Sequence, residues 1–518
     1  MSLCPPASVT ASFLSAASRF PDRPAVSFED RTLRYVDLSR AVGACAASLA
    51  ELGVGPDQRV AILFPNCPQF IISYFAALQL GATVVPLHCL QGPEELAYIV
   101  ANAEAETLIG LNLLEPVMAA VRENVPCLRR LIVSGPSKLA DAVSFEGLLK
   151  PPQSSPPVHD SRPDDVAVLI YTSGTTGQPK GAMLTHDNLV FDAAACAVAI
   201  DVNENDVFGT VLPLFHSFGA TVCMILPLSL GAHTVLIPKF APLSVLETLE
   251  SRRCTVFAGV PSMYAVMLGM KTDRDFDLSS LRIGVSGGAA MPDEVLIGFE
   301  QRFGVYMIEG YGPTEASPVV SVNRTDGTRK IGTIGPPLPE IEVTIRDDDF
   351  NVAPVDVPGE LCVRGRNVMK GYWRDEERTA ETIRDGWLLT GDVATVDADG
   401  YLRIVDRKKD MIIVGGMNVY SREVEDVLYR LGAVAEAAVV GIPNRLRGED
   451  VKAYVALKEG AQLDATQVIE HCKSHLANYK VPRFVEFRPE LPKSATGKIL
   501  KRELREEARA AMADEPVS

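Results

Sequence analysis

The sequence predicts an α/β protein of more than one folding unit, and three observations carry that expectation. A strand, helix, strand grammar repeats through roughly the first 330 residues, short strand candidates take over from Gly332, and a dense charge run at residues 406–410 precedes a compact final unit. A length of 518 residues is several times the usual domain size, so a large core and several units are expected.

The α/β grammar is clearest near residue 60. RVAILF is a short apolar run, Asn66 is placed to cap a helix reaching about Leu80, and ATVVPL follows Gly81 as a second strand. The segment from Val60 to Pro93 carries no formal charge, yet Pro65, Asn66, Pro68, Gln69, Gln79, Gly81 and Pro86 interrupt it, which argues for buried elements over a membrane span. The grammar recurs at VAVLIY, HTVLIP, CTVFAGV and LRIGVSGG. The Pro/Ser-rich stretch 151–165 reads as an exposed connector within one large domain.

Beyond Gly332, EIEVTIRDDD, GELCVRG, GWLLTGD and VDADGYLRIVDR are strand candidates, and Asp399-Gly400 marks a hairpin. After DRKKD come IIVGG, an amphipathic helix from Ser421 to about Leu431, the strands AEAAVVGI and KAYVAL, and a last helix.

A formal charge of −16 argues against nucleic acid as the main partner. The ten cysteines are scattered singly without metal-ligand spacing and are expected to be reduced thiols in a cytoplasmic protein. The first twenty residues lack a basic leader and a continuous apolar core, so neither a signal nor a transit peptide is expected.

The sharpest chemical signal is YTSGTTGQPKG at residues 171–181, directly after an apolar strand. Its glycines permit close backbone approach, its hydroxyls offer donors, and Lys180 adds charge, which together suit a phosphate. It is not a Walker A loop, because Pro179 and Gly181 flank the lysine where Gly and Ser or Thr would be needed.

This string resembles the phosphate-loop signature of the adenylate-forming (AMP-binding) superfamily, of the acyl-CoA synthetase and fatty acid-CoA ligase type. FPDRPAVSFEDRTLRYVDL, YFAALQLGATVVPL, PLFHSFG, SGGAAMP, GYGPTE, LLTGD, VDRKKDMIIVGGMNVY and PKSATGK resemble further motifs of that superfamily, in its order and over nearly the whole chain. Two small departures, Pro313 and Ser421, fall where no chemistry is expected.

The resemblance implies a large N-terminal domain, residues 1–408, of α/β subdomains plus a β-barrel-like part, and a small mobile α+β domain, residues 409–518, hinged at Lys409. It places ATP against Thr172, Ser173, Gly174, Thr175, Thr176, Gly177, Lys180, Gly288, Ala289, Tyr311, Gly312, Thr314, Asp392, Arg407 and Lys498. Tyr311 would stack on adenine, Asp392 would bond the ribose hydroxyls, Arg407 would assist there, and Glu315 would hold Mg²⁺, a hard cation suited to oxygen. Lys498 is the catalytic expectation, with Thr314 and Glu315, because an ammonium directed at the α-phosphate stabilises charge that grows in the transition state. His216, Gly287 and Gly288 would line the acyl site, and Gly415 and Gly416 would face coenzyme A.

The implied reaction joins a carboxylic acid to ATP as acyl-AMP, releasing pyrophosphate, and then to the CoA thiol, releasing AMP. The small, uncharged SGGAAMP segment favours a medium- or long-chain fatty acid, with an aryl acid as the alternative. Loading of a separate carrier protein and a luciferase-like oxygenation remain open, although no phosphopantetheine attachment site follows Lys498. The expected partners are small molecules, with peripheral membrane contact allowed, and the expected state is a monomer or homodimer.

Overall fold

The computed structural model describes residues 3, 5–151, 157–173, 178–272, 274–444, 446–493 and 499–513. Its large N-terminal part is built on two eight-stranded sheets. The first runs Ser321–Val322, Tyr306–Tyr311, Ile283–Ser286, Val256–Gly259, Val207–Thr210, His233–Leu236, Pro24–Phe28 and Arg31–Arg34. The second runs Gly371–Tyr372, Pro179–Thr185, Val166–Ser173, Thr83–Pro86, Arg59–Leu63, Thr107–Leu111, Arg130–Ser134 and Val143–Ser144. Most adjacent inner strands pair in parallel, as short apolar runs separated by helices require, and the exception is the antiparallel hairpin of Val166–Ser173 with Pro179–Thr185.

Helices fill the space between the sheets and cover their outer faces. Pro68–Gln79 is apolar almost all round, and its Phe70, Ile71, Tyr74, Phe75 and Leu78 are buried in a core that also takes Ile62, Val168, Phe208, Val256 and Ile308 from both sheets. Separate cores lie on the outer faces, one under Pro93–Asn102 and Glu115–Asn124, the other under Pro242–Ser251 and Asp293–Phe303. The result is a layered α/β body, as the sequence predicts.

Asn66 does not cap the helix that follows it. Cys67 is the N-cap, and the Asn66 amide reaches instead across the core, donating to the Leu212 carbonyl at 2.9 Å and accepting from the Leu214 N–H at 2.9 Å. Pro68 takes the first helical position and leaves Asn66 one residue outside the cap, where its buried amide is satisfied by two long-range partners. The connector after residue 157 returns the chain to Val166–Ser173 in the same sheet as Thr83–Pro86, so it links strands of one body.

The β-rich stretch forms a five-stranded sheet of Glu342–Arg346, Gly359–Arg364, Trp387–Val396, Ile383–Arg384 and Leu402–Arg407, with the expected turn at Asp399 and Gly400. The smaller C-terminal part has its own five-stranded sheet, from Ile412–Val414 to Phe484–Arg488. One face of that sheet packs on Ser421–Tyr429 and Ala465–His475, the other on Lys501–Ala513. The amphipathic helix expected to reach Leu431 ends at Tyr429.

Between the two parts the chain turns at residues 408–410, where the N–H groups of Asp410 and Met411 both donate to the Arg407 carbonyl. Ser421 has a structural place there. Its backbone N–H and hydroxyl both donate to the Asp406 carboxylate, and its hydroxyl also accepts from Lys501 Nζ at 2.8 Å. Lys501 in turn pairs with Glu425 at 2.6 Å, and Arg505 with Asp410 at 2.7 Å.

Candidate adenylate site

Parallel strands of an α/β sheet open a crevice at their carboxyl ends, where the chain leaves the sheet and its loops diverge. Val256–Gly259, Ile283–Ser286 and Tyr306–Tyr311 end side by side in this way, delivering Val260, the 287–290 turn and the 311–315 loop to one edge. Several of the residues expected to hold nucleotide or chemistry thus arrive together for a topological reason.

Tyr311, Asp392 and Arg407 form a continuous relay. The Tyr311 hydroxyl donates to Asp392 Oδ2 at 2.5 Å, and Arg407 Nε lies 2.8 Å from Asp392 Oδ1. Asp392 is only 3% exposed, and the Asp392↔Arg407 register of the two antiparallel strands sets the ion pair. Burial, reinforced by the adjacent Asp392 carboxylate, holds the Tyr311 phenol well above its ordinary range, so it remains a donor at any physiological pH. Arg407 is held charged chiefly by Asp392. Each carboxylate oxygen retains a second lone pair that a ribose hydroxyl can use.

Thr314 and Glu315 sit one turn further on, in a short 3₁₀ segment, Thr314–Ala316. The Thr314 hydroxyl lies 3.2 Å from that of Ser217. Tyr372 donates to Glu315 Oε1 at 2.8 Å, and Lys180 Nζ stands 5.4 Å from the centre of the Tyr372 ring. Tyr372 thereby joins the two charged groups expected at the phosphates. Burial, with Glu315 beside it, pushes the Tyr372 phenol up, so it too stays protonated. Sequence reasoning missed Tyr372 and Ser217. An aromatic pair, Tyr372 and Trp373, in a loop is a signal only once the strand Pro179–Thr185 is known to pair with Gly371–Tyr372.

The glycines have distinct reasons. A Cβ on Gly312 would meet the Pro318 carbonyl oxygen at 1.6 Å, so packing alone demands glycine at this expected ATP contact. Gly288 has φ +79°, a left-handed turn that opens the 288–290 segment to solvent. Gly287 is buried, with Phe218 3.0 Å from the position of a Cβ. Ala289 is exposed on the same turn.

His216 caps the segment Ser217–Ala220, its Nδ1 accepting from the Phe218 N–H at 3.2 Å. It therefore orients the two residues that reach Thr314 and Gly287. Thr172 pairs with Lys180 across the hairpin that carries the phosphate loop. Gly174, Thr175, Thr176, Gly177, Lys498 and the Ser173 side chain lie outside the described residues.

Gly415 and Gly416 form the turn of an exposed hairpin, Ile412–Val414 with Met417–Val419, at φ +60° and +79°. A Cβ on either would meet no atom within 4 Å. Lys409 is exposed within the turn between the two parts.

A further carboxyl near the site was not foreseen. Glu309, two residues before Tyr311, is 4% exposed and accepts from the Met291 N–H at 3.2 Å, and burial pushes its acid up to about 7.

Comparison with known proteins gives a consistent picture. The AMP-binding enzyme family matches residues 13–373, and the AMP-binding enzyme C-terminal domain matches residues 423–498. The chain is 40% identical to a long-chain-fatty-acid–CoA ligase of Bacillus subtilis over 524 residues, covering 95% of this chain and 93% of that protein. It is also 40% identical to a feruloyl-CoA synthase of Amycolatopsis over 486 residues, covering 94% and 96% respectively. Among solved structures, the anthranilate CoA ligase AuaEII in complex with anthranoyl-AMP superimposes with a TM-score of 0.92 at 31% identity, over 99% of both chains.

Proposed function

Because the chain belongs to the AMP-binding enzyme family and is an AMP-forming acid–thiol ligase, we propose that it activates a medium- or long-chain fatty acid as acyl-AMP and transfers the acyl group to CoA. The observation that carries the nucleotide half of this reading is the Tyr311, Asp392, Arg407 relay at the carboxyl edge of a parallel sheet. Its buried carboxylate suits ribose hydroxyls, and the tyrosine it fixes suits an adenine face.

Glu315 is the residue assigned to Mg²⁺. Tyr372 holds one of its oxygens, and a carboxylate oriented by a single hydrogen bond is a hard donor that fits this cation. Among the described residues no three His, Cys, Asp or Glu side chains converge, so the remaining ligands would be phosphate oxygens and water. Bound there, the cation would neutralise phosphate charge as pyrophosphate leaves. Thr314, held by Ser217, is assigned to the reacting carboxylate or phosphate. Lys498 is assigned to the charge growing on the α-phosphate during attack. Gly415 and Gly416 are assigned to the CoA side, and Lys409 to the pivot between 1–408 and 409–518. The site of action proposed is the cytoplasm; among the described residues no helix is long and apolar enough to cross a membrane.

The acyl reading rests on the apolar groups that meet the 287–288 turn, with Phe218 beside Gly287 and Val260 beside Gly288. The relative named for long-chain fatty acids points the same way. An aryl acid is the second reading, favoured by the equal identity to the feruloyl-CoA synthase and by the anthranoyl-AMP complex of the structural neighbour.

The test is pyrophosphate release with saturated acids of increasing length beside ferulate, anthranilate and malonate. Each buried CH₂ contributes about 0.8 kcal/mol, so kcat/KM should climb about fourfold per methylene before a plateau. Preference for ferulate or anthranilate over every alkanoate would select the second reading, and ADP in place of AMP as product would end both.

A further inference from the structure

The loop that bears Thr314 and Glu315 is held from behind by one helix, His186–Ala199, which no functional assignment above uses. Asn188 and Asp192 are one turn apart and so share a face of it. The Asn188 side-chain amide donates to two carbonyls of a neighbouring loop, Arg366 at 2.7 Å and Val368 at 3.0 Å. Asp187 on the same helix pairs with the Arg366 guanidinium through both oxygens, at 3.0 and 2.5 Å. That loop is thus fixed along its length, and its next residue passes the constraint on, because the Met369 N–H donates to the Glu315 carbonyl at 2.8 Å.

Asp192 secures the far side. Its Oδ2 accepts from the Val319 N–H at 3.2 Å, while the Val319 carbonyl accepts from Asn367 Nδ2 at 3.1 Å. One peptide unit beyond, the Val320 N–H donates to the Tyr311 carbonyl at 2.8 Å. The segment from Tyr311 to Val320 is therefore bracketed at Glu315 and at Val319 by groups that all trace back to one helix face. Both bracketing side chains, Asp192 and Asn367, are 0% exposed, and Asp192 Oδ1 and Asn367 Oδ1 have no hydrogen-bond partner among the described residues.

We propose that Asn188 and Asp192 are positioning residues for Thr314 and Glu315 in the adenylation half-reaction, acting through the 366–369 loop and Val319. This rests on the assignment of Thr314 and Glu315 made above. Full burial with one neutral donor raises the Asp192 acid well above its ordinary range, and its one hydrogen bond among the described residues, an oxygen accepting from the Val319 N–H, is one that an uncharged amide of the same shape can make. Asparagine is then its isostere, and Asp192→Asn should replace it. Alanine should not, because Val319 would lose its acceptor and the loop its inner stop.

The experiment uses the full chain and measures single-turnover acyl-AMP formation against Mg²⁺ concentration, beside conversion of supplied acyl-AMP to acyl-CoA. A small displacement of a group oriented for reaction costs roughly one to two orders of magnitude, so Asp192→Ala should slow adenylation about tenfold or more and raise the Mg²⁺ requirement. Conversion of supplied acyl-AMP should stay within about twofold, and Asp192→Asn should restore adenylation. Asn188→Asp keeps the acceptor that binds the Thr185 N–H but loses both donors to the 366–369 loop, and it should show the same split. If Asp192→Ala does not fold, Asn188→Asp and the surface variant Asp187→Asn, which weakens the hold on the same loop, decide the matter. Equal loss of both half-reactions, no loss in either, or failure of Asp192→Asn to restore the rate would overturn the proposal. A Glu315→Gln control separates the two levels. If that control raises the Mg²⁺ requirement while the helix variants do not, the positioning role fails alone. If it leaves the requirement unchanged, the assignment of Glu315 fails, and the positioning role with it.

Discussion

The nucleotide edge of the large unit and the Gly415 hairpin of the small one are built on opposite principles. At the first, Tyr311, Asp392, Arg407, Glu315 and Tyr372 are each fixed by a named partner, and the Asp392–Arg407 pair follows from strand register. At the second, two glycines at positive φ turn an exposed hairpin whose tip is tied by the Gly415 N–H donating to the Arg447 carbonyl, at 2.7 Å. On the roles proposed above, groups that meet a ribose and phosphates would gain from being held in place beforehand, whereas a turn assigned to a long thiol cofactor would gain from having no side chain.

The strongest way to break this contrast is at Asp392. Asp392→Ala removes the acceptor shared by Tyr311 and Arg407, and a hydrogen bond to a charged group is worth about 1.5–3 kcal/mol, so kcat/KM for ATP should fall by about 10- to 100-fold. Steady-state kinetics at saturating acid would show it, and an unchanged value would mean that the relay is scaffold only.

Gly415→Ala probes the other side and should do less. A methyl group meets no atom within 4 Å, but φ +60° costs a non-glycine residue about 1–2 kcal/mol. Conversion of supplied acyl-AMP to acyl-CoA should drop about fivefold to thirtyfold while acyl-AMP formation holds, with the two half-reactions assayed apart. A loss confined to adenylation would reverse the assignment of the two regions.

The smallest effect concerns pH. Burial raises the Glu309 acid from its ordinary value to about 7, so the folded state binds this proton more tightly than the unfolded chain does. Its contribution to stability is fully present below the ordinary glutamate range and is lost as pH rises through about 7. Glu309→Gln keeps the acceptor and removes the titration. Thermal melts from pH 5 to pH 8 should show the variant gaining on the parent by about one to three degrees as pH rises, and a constant offset would refute this.

Much of the large unit is legible in its sequence because buried parallel strands are short apolar runs that local composition reveals, as at RVAILF and VAVLIY. Tyr311, Asp392 and Arg407 stand out through the motifs that contain them. Their mutual bonds do not, since these depend on how a strand near residue 311 meets a hairpin near residues 392 and 407. Asn66 shows the limit most plainly. A cap is a local inference, and the side chain is claimed by carbonyl and amide groups about 150 residues further along. Ser421, Tyr372 and Asp192 are illegible for the same reason. Each is an ordinary residue type with a partner distant in sequence, Lys501 for Ser421, Glu315 for Tyr372 and Val319 for Asp192.

The place of Pro24–Phe28 in the first sheet has a consequence for how the chain is made. This strand pairs in parallel with His233–Leu236, and on its other side only with Arg31–Arg34. During translation the early hairpin therefore emerges with one edge open and waits for a partner about 200 residues away, which at 5–20 residues per second is roughly 10–40 s. Over that interval the nascent segment presents Ala25 and Val26, which are buried in the finished protein, together with unpaired backbone amides. The first thirty-odd residues are thus exposed to wrong pairing at the ribosome until residue 233 has been made. Yield on overexpression should respond to elongation rate between residues 34 and 233 more than to changes in the site itself.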